Sequence, residues 1–254
     1  LSMYPVQDSE KWFEIPVVAT NICDYDRSFG VEVDDKASNA IEKKQYVVES
    51  NTVTIKAGER VAKFRMKGIY ENIDKTDSLS VTFNLLAKDE NVWDLYGTRT
   101  RVQMQKACPF ELSTFEGYCL LTSSFFSAYM TNTEHRLLQA ERDKTEDNTI
   151  ILHDFFYKNY DLKIKYDPSD PLKPFVEFDD QIIGSTAEAF GTIYGNGKLM
   201  CTQPVAYDSY YNVCQKFVFL YSTIYVVGKG TVGTYVNILE WISDEEAEQY
   251  KKEE

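Results

Sequence analysis

Between Gln45 and Lys67 the chain reads QYVVESNTVTIKAGERVAKFRMK, with apolar and polar side chains trading places along most of its length. Val53 and Ile55 alternate with Thr52, Thr54 and Lys56, the period of a strand with one buried face. Lys56-Ala57-Gly58-Glu59 interrupts the run, and its glycine takes positive φ without steric cost, so the chain reverses there. Val61, Phe64 and Met66, set among Arg60, Lys63, Arg65 and Lys67, then read as the returning strand of a hairpin. Similar patterns predict strands at Trp12–Ala19, Phe29–Val33, Leu79–Leu86 and Thr98–Gln105. Pro16 cannot donate to a ladder and puts the first of these at a sheet edge or a bulge. Polar loops at 34–39 and 71–78 separate the runs, giving about seven strands in the first hundred residues, the density of a β-sandwich. Residues 1–10 read as a tether.

The pattern stops at Cys108-Pro109-Phe110 and restarts at Phe115-Glu116-Gly117-Tyr118, which divides the chain into 1–107 and 108–254. Thr149–Leu152, Tyr160–Tyr166, Phe175–Phe178 and Gln181–Ile183 are strand-like, and the proline-rich Asp167–Pro174 is a loop. The longest apolar segment, Lys216–Val227, is β-branched and aromatic and is followed by the turn Gly228-Lys229-Gly230. Thr231–Trp241 pairs back on it as a hairpin. Ser243 and Glu246 form the capping box of the one predicted helix, with acids in its first turn and Lys251 and Lys252 in its last. The fold class is all-β: an immunoglobulin-like sandwich, then a second sandwich or partly open barrel with a short C-terminal helix.

Charge narrows the function classes. The net charge of −13 repels phosphate backbones and argues against nucleic acid and against docking on anionic lipid. No run approaches the ~20 apolar residues of a membrane helix, and LSMYPVQDSE has neither the basic nor the apolar region of a signal peptide. Five cysteines without CxxC spacing exclude a metal ribbon, and their odd number prevents complete pairing. Buried free thiols are the preferred reading, with a Cys201–Cys214 or Cys108–Cys119 bridge left open.

Gly228-Lys229-Gly230-Thr231-Val232-Gly233 matches a dinucleotide-binding pattern, but a strand-like TYVNILEW follows where that site needs a helix. It reads as a turn. His135 and His153 are isolated, so neither a zinc site nor a triad is expected. The acid pairs Asp24/Asp26, Asp34/Asp35 and Asp179/Asp180 read first as solvated loops and secondly as a glycosidase pair. Asp24, Asp26, Asp34 and Asp35 could instead bind Ca²⁺ at a sandwich apex, although the regular 1-3-5 ligand loop is missing. Tyr207, Tyr210 and Tyr211 beside Asp208 and Asn212, together with Trp93 and Tyr96, are the candidate sugar-stacking residues. Cross-strand packing is the plainer account of the same rings.

Asp26-Arg27 before FGVEV, Asn39-Ala40, Gln45-Tyr46, the segment TVTIKAGERVAKFRMK and LSVTFNLL together resemble the Calx-beta-like domains of Bacteroidetes surface lipoproteins, over roughly residues 12–107. Lys43-Lys44-Gln45 departs from the small residue that the family places before the tyrosine. Through FYKNYDLKIKYDP, FDDQIIG and NILEWISDEEAE the second part resembles the uncharacterised domain that accompanies this module. The resemblance implies an outer-membrane lipoprotein at the cell surface, held by a lipid upstream of Leu1, and links it with glycan capture or adhesion. The expected function is a non-catalytic cell-surface binding protein with a glycan as ligand and no cofactor other than the calcium left open above. The alternatives are a spacer or adhesin binding a protein partner, and a carboxylate-based glycoside hydrolase.

Overall fold

The computed structural model describes residues 1–88 and 97–253, in two compact units, Leu1–Cys108 and Pro109–Glu254. The first unit is a sandwich of two sheets. One carries β1 (Ser2–Val6), β8 (Arg99–Lys106), β7 (Leu79–Leu86), β3 (Arg27–Val33) and β5 (Thr52–Ile55) in that order. The other carries β2 (Phe13–Val18), β6 (Val61–Gly68) and β4 (Tyr46–Val48). Val53, Ile55, Phe64, Met66, Val81, Phe83, Val102 and Met104 bury the facing sides, as the alternation requires.

Two expectations change here. The residues expected to form a tether include β1, which pairs in parallel with β8 and buries Tyr4 and Val6. The expected hairpin is an arch: β5 pairs with β3, whereas β6 pairs with β2 and β4 in the opposite sheet. Gly58 turns at φ +82°, as its position in the polar tetrapeptide suggests, but the chain crosses the core there instead of doubling back within one sheet. Alternation fixes which face of a strand is buried and is silent on which neighbour it pairs with. Pro16 sits on β2, an edge strand of the three-stranded sheet.

The second unit is a closed antiparallel barrel, the second of the two architectures expected, with no open side. Its staves are β9 (Gly117–Ser123), β10 (Arg136–Arg142), β11 (Thr149–Leu152), β12 (Leu162–Tyr166), β13 (Phe175–Glu177), β16 (Ser209–Asn212), β17 (Phe217–Val226) and β18 (Gly230–Trp241). β18 pairs with β17 on one side and with β9 on the other, which closes the ring. Eight strands leave an interior just wide enough for side chains to fill. At one end a 3₁₀ turn, Leu112–Phe115, inserts Phe115 among Tyr166, Tyr211 and Trp241. At the other, α1 (Ser124–Tyr129) inserts Phe125 and Phe126 against Phe156.

β17 is longer than the barrel wall needs. Its first residues pair with β16, and Thr223–Tyr225 pair with β15 (Lys198–Thr202), itself hydrogen-bonded to β14 (Gln181–Ser185). The long β17–β18 ribbon therefore runs past the α1 end of the barrel. α2 (Thr186–Phe190) follows β14 there, capped by Ser185 and Glu188. The C-terminal helix α3 (Asp244–Glu253) begins at the expected capping box, in which Glu246 N–H donates to Ser243 Oγ and Ser243 N–H donates to Glu246 Oε2.

Inside the wall one polar cluster ties three strands together. Asn237 on β18 is fully buried; its Oδ1 accepts from Ser123 Oγ at 2.6 Å, and its Nδ2 donates to Ser222 Oγ at 2.8 Å and to the Leu220 carbonyl at 3.0 Å. Ser123 Oγ also accepts from Phe125 N–H and so starts α1. Cys119 and Cys201 are free and buried, and Cys23 is free and half-buried, so neither bridge left open by the sequence forms. Cys108 and Cys214 are disulfide-bonded.

Candidate functional site

The expected acidic cluster does not assemble. Asp26 and Asp34 flank opposite ends of β3, about eight residues of extended chain or ~26 Å apart. The Asp26 carboxylate accepts from Lys56 Nζ at 2.8 Å and from Ala57 N–H at 2.9 Å, which holds its pKa below the ordinary range. Asp34 caps the 3₁₀ turn Asp35–Ala37 and accepts from Arg99 at 2.8 Å. Asp24 borders an open hollow with Ile22, Cys23, Tyr25 and Gly58 at the tip of the sandwich. Among the described residues no three His, Cys, Asp or Glu side chains gather to hold a metal ion.

The histidines and Asp180 of the remaining acid pair have local partners. Nδ1 of His135 shares a 2.8 Å hydrogen bond with Thr122 Oγ1. His153 lies between Asp161 at 3.0 Å and Glu141 at 3.3 Å. Burial alone lowers its pKa, but the hydrogen bonds and charges of the two carboxylates outweigh that and leave it raised. Asp180 accepts from Thr202 and from Tyr225 Oη, the latter at 2.7 Å, and its pKa is lowered accordingly.

The tyrosine segment splits by strand phase. Tyr211 points into the barrel, buried against Phe110, Phe115 and Tyr166, and its hydroxyl donates to the Asp167 carbonyl. Burial pushes its pKa up to about 12. It is a core residue, and neighbours on a strand must face opposite ways. Tyr210 and Tyr207 do face outward. Tyr210 lies parallel to Phe219, with ring centres 5.5 Å apart, and Tyr207 lies parallel to Tyr221 at 5.0 Å. Parallel stacking covers ring faces, the surfaces a sugar would need. Trp93 and Tyr96 lie outside the described residues.

A different set of rings forms a concave site. At the α1 end of the barrel, Tyr129, Phe190 and Tyr194 border a groove of about 340 Å³ with Val226, Lys229, Gly230, Thr231 and Val232. Phe190 meets Tyr129 edge-on at 5.3 Å and 74°, and meets Tyr194 at 5.9 Å and 72°. Each edge-to-face contact covers one face of only one of its two rings, and Tyr194 is 48% exposed. Tyr129 is seated by Phe125 and by Tyr235, whose hydroxyl pKa rises to about 12 through burial and a hydrogen bond with Tyr129. The wall depends on Gly195, at φ +53°: a Cβ there would lie 2.7 Å from the Val227 carbonyl oxygen and 3.2 Å from Lys229 Cγ.

These residues come from the end of α1, the end of α2 with the segment after it, and the tip of the β17–β18 ribbon, so no local motif announces them. The sequence signal they do carry is Gly228-Lys229-Gly230, which is a turn in the structure as well; Gly228 and Gly230 take φ of +74° and +116°. That the turn borders a cavity depends on α1 and α2, two short helices that the alternation does not predict.

Residues 95–253 match the family model described as Domain of unknown function (DUF4984). No curated protein matches the chain. Among solved structures, a protein of unknown function from Bacteroides ovatus is 10% identical, with a TM-score of 0.40 over 94% of this chain and 87% of that one. The calcium binding domain CBD12 of CALX1.1 is 13% identical, with a TM-score of 0.35 over 60% and 76%. An auxiliary nutrient binding protein from Bacteroides thetaiotaomicron is 10% identical, with a TM-score of 0.34 over 90% and 82%.

Proposed function

This chain belongs to the DUF4984 family, and we propose that it is a non-catalytic binding protein of the cell surface that captures a glycan in the groove at the α1 end of its barrel. The observation that carries this reading is the groove itself: three aromatic rings set edge-to-face around about 340 Å³, with valine walls and a glycine-lined rim. Open ring faces stack on the apolar C–H faces of sugars, and a volume of this order holds a small cyclic ligand. An exported location accords with the disulfide-bonded Cys108 and Cys214, since such bonds persist in oxidising compartments. The lipid anchor upstream of Leu1 belongs to the same proposal; among the described residues no helix is long and apolar enough to cross a membrane.

A glycan array probed with the purified chain, with Ca²⁺ and again with chelator, tests the reading. The expected result is a reproducible hit, weakened by Tyr194→Ala and by Phe190→Ala and kept in Tyr210→Ala. A blank array overturns it. A hit abolished by chelator would move attention to Asp24 and Asp26, whose loop adjoins the sandwich-tip hollow.

A second reading, an adhesin with a protein partner, has its own support on the outer barrel wall. Tyr207, Tyr210, Phe219 and Tyr221 lie there beside Val236 and Ile238, an apolar patch on a surface that water would otherwise cover. Tyr207→Ser with Tyr210→Ser would abolish cell adhesion on this reading and leave glycan binding unchanged.

A further inference from the structure

We infer that the sugar taken by the barrel groove is an acidic one, a hexuronic acid residue whose ring lies on Tyr194 and Phe190 and whose carboxylate meets Lys229. This rests on the glycan reading and names the ligand class within it. The argument is one of charge placement. The chain carries 40 Asp and Glu against 27 Lys and Arg, so most of its surface repels anions. The groove departs from that balance: among the described residues its lining includes no carboxylate and one cation, Lys229. No ion pair engages Lys229 among the described residues, as is also true of Lys165 and Lys198, so no neighbouring acid neutralises the one cation of the groove.

The geometry keeps the backbone and Cγ of Lys229 against the segment that carries Tyr194. Lys229 sits in the three-residue tip between β17 and β18, and its N–H donates to the Val226 carbonyl at 3.0 Å. The loop carrying Tyr194 packs on the same tip, because Gly195 lets it approach Val227 O and Lys229 Cγ. Ring and ammonium thus belong to two segments held against each other, the arrangement needed to read an apolar sugar face and an acid group together. The sandwich-tip hollow differs: it has Tyr25 but also Asp24, and among the described residues no lysine or arginine lines it. A carboxylate would be repelled there. Lys229 forms one charge-assisted hydrogen bond at a partly open site, so the preference for acid over neutral sugar is about tenfold.

The test is titration of the full chain with digalacturonic acid and with its neutral dimethyl ester, followed by calorimetry and amide NMR. The expected result is that the acid binds about tenfold tighter than the ester at low salt, and that the difference shrinks at high salt. Lys229→Ala should erase the difference, Lys229→Arg should keep most of it, and Tyr194→Ala should weaken both ligands together. Equal affinity for acid and ester, with both lost in Tyr194→Ala, would overturn the acidic assignment and leave glycan capture standing. If neither sugar binds and a panel of neutral disaccharides also gives no saturable shifts at Tyr194 and Lys229, the glycan reading fails and takes this inference with it. Preserved folding of each variant is read from its amide spectrum.

Discussion

Asn237 shows how one side chain can fix the pairing of three strands. Its amide joins Ser123 on β9 to Ser222 on β17 through hydrogen bonds sealed from water. Asn237→Ala would leave both hydroxyls without that partner in a packed interior, a loss of about 2–3 kcal/mol, measurable by urea denaturation. Two charged groups give the protein a pH signature of opposite signs. Asp143 is held well below the usual carboxylate range by Lys163 at 2.5 Å and by Thr145. Its contribution is present above the unfolded value of ~3.9 and disappears as pH falls toward the folded one. His153, raised by Asp161 and Glu141 despite its partial burial, contributes fully below ~6.5 and loses that contribution as pH climbs through its folded pKa. Denaturation midpoints should therefore drop in acid for the wild type but less in Asp143→Asn. Between pH 6 and 8 they should fall for the wild type and stay flatter in His153→Gln. A midpoint unchanged by either variant would mean that the pairs carry no net stability. At this scale the sequence held more than its composition suggests. Tyr210 and Tyr211 are adjacent on a strand, so at most one of them can meet a ligand on the outer wall, and strand period alone excludes the pair as a joint platform.

Elements were legible where they are long and local. Lys216–Val227 and Thr231–Trp241 alternate for ten residues or more around a glycine turn, and β17 and β18 pair as that pattern dictates. The arch at Gly58 has the same local signs and a different outcome, because only β2 and β4 in one sheet and β3 in the other decide where its two strands go. β1 carries a weak sequence signal, since it buries just two side chains, Tyr4 and Val6, on either side of a proline. The groove was illegible for a related reason: its three rings are separated in sequence and meet only after the barrel has formed. Two glycines give an element-level check. Gly195→Ala places a Cβ against Val227 O in a left-handed backbone, so the 191–197 loop must lift from the ribbon tip. The cost should be about 1–2 kcal/mol, with faster amide exchange at Lys229 and weaker ligand binding. Gly58→Ala carries the same kind of backbone strain at φ +82° with nothing within 4 Å, so it should lose stability alone and leave the ligand titration unchanged. If both variants bind equally well, the loop does not shape the site.

For the molecule as a whole, the strong net negative charge makes copies of the chain repel one another. The closed barrel is the feature whose pairings reach furthest along the chain. β9, its first stave, pairs with β18, its last, so that Cys119 lies opposite Trp241 across nearly the full length of the unit. Closing so long a loop is slow, and it also has an order in time. A nascent chain that stops before Gly230 holds β9 and β17 as open edges, ready to pair with any other strand. Synthesis of the next twelve residues removes both edges at once. Ribosome-held chains ending at Val226 should be cut readily by added protease, and chains released beyond Trp241 should resist it. The seam thus works as a completion signal: the second unit stays vulnerable for almost all of its synthesis and becomes durable only when its final strand arrives.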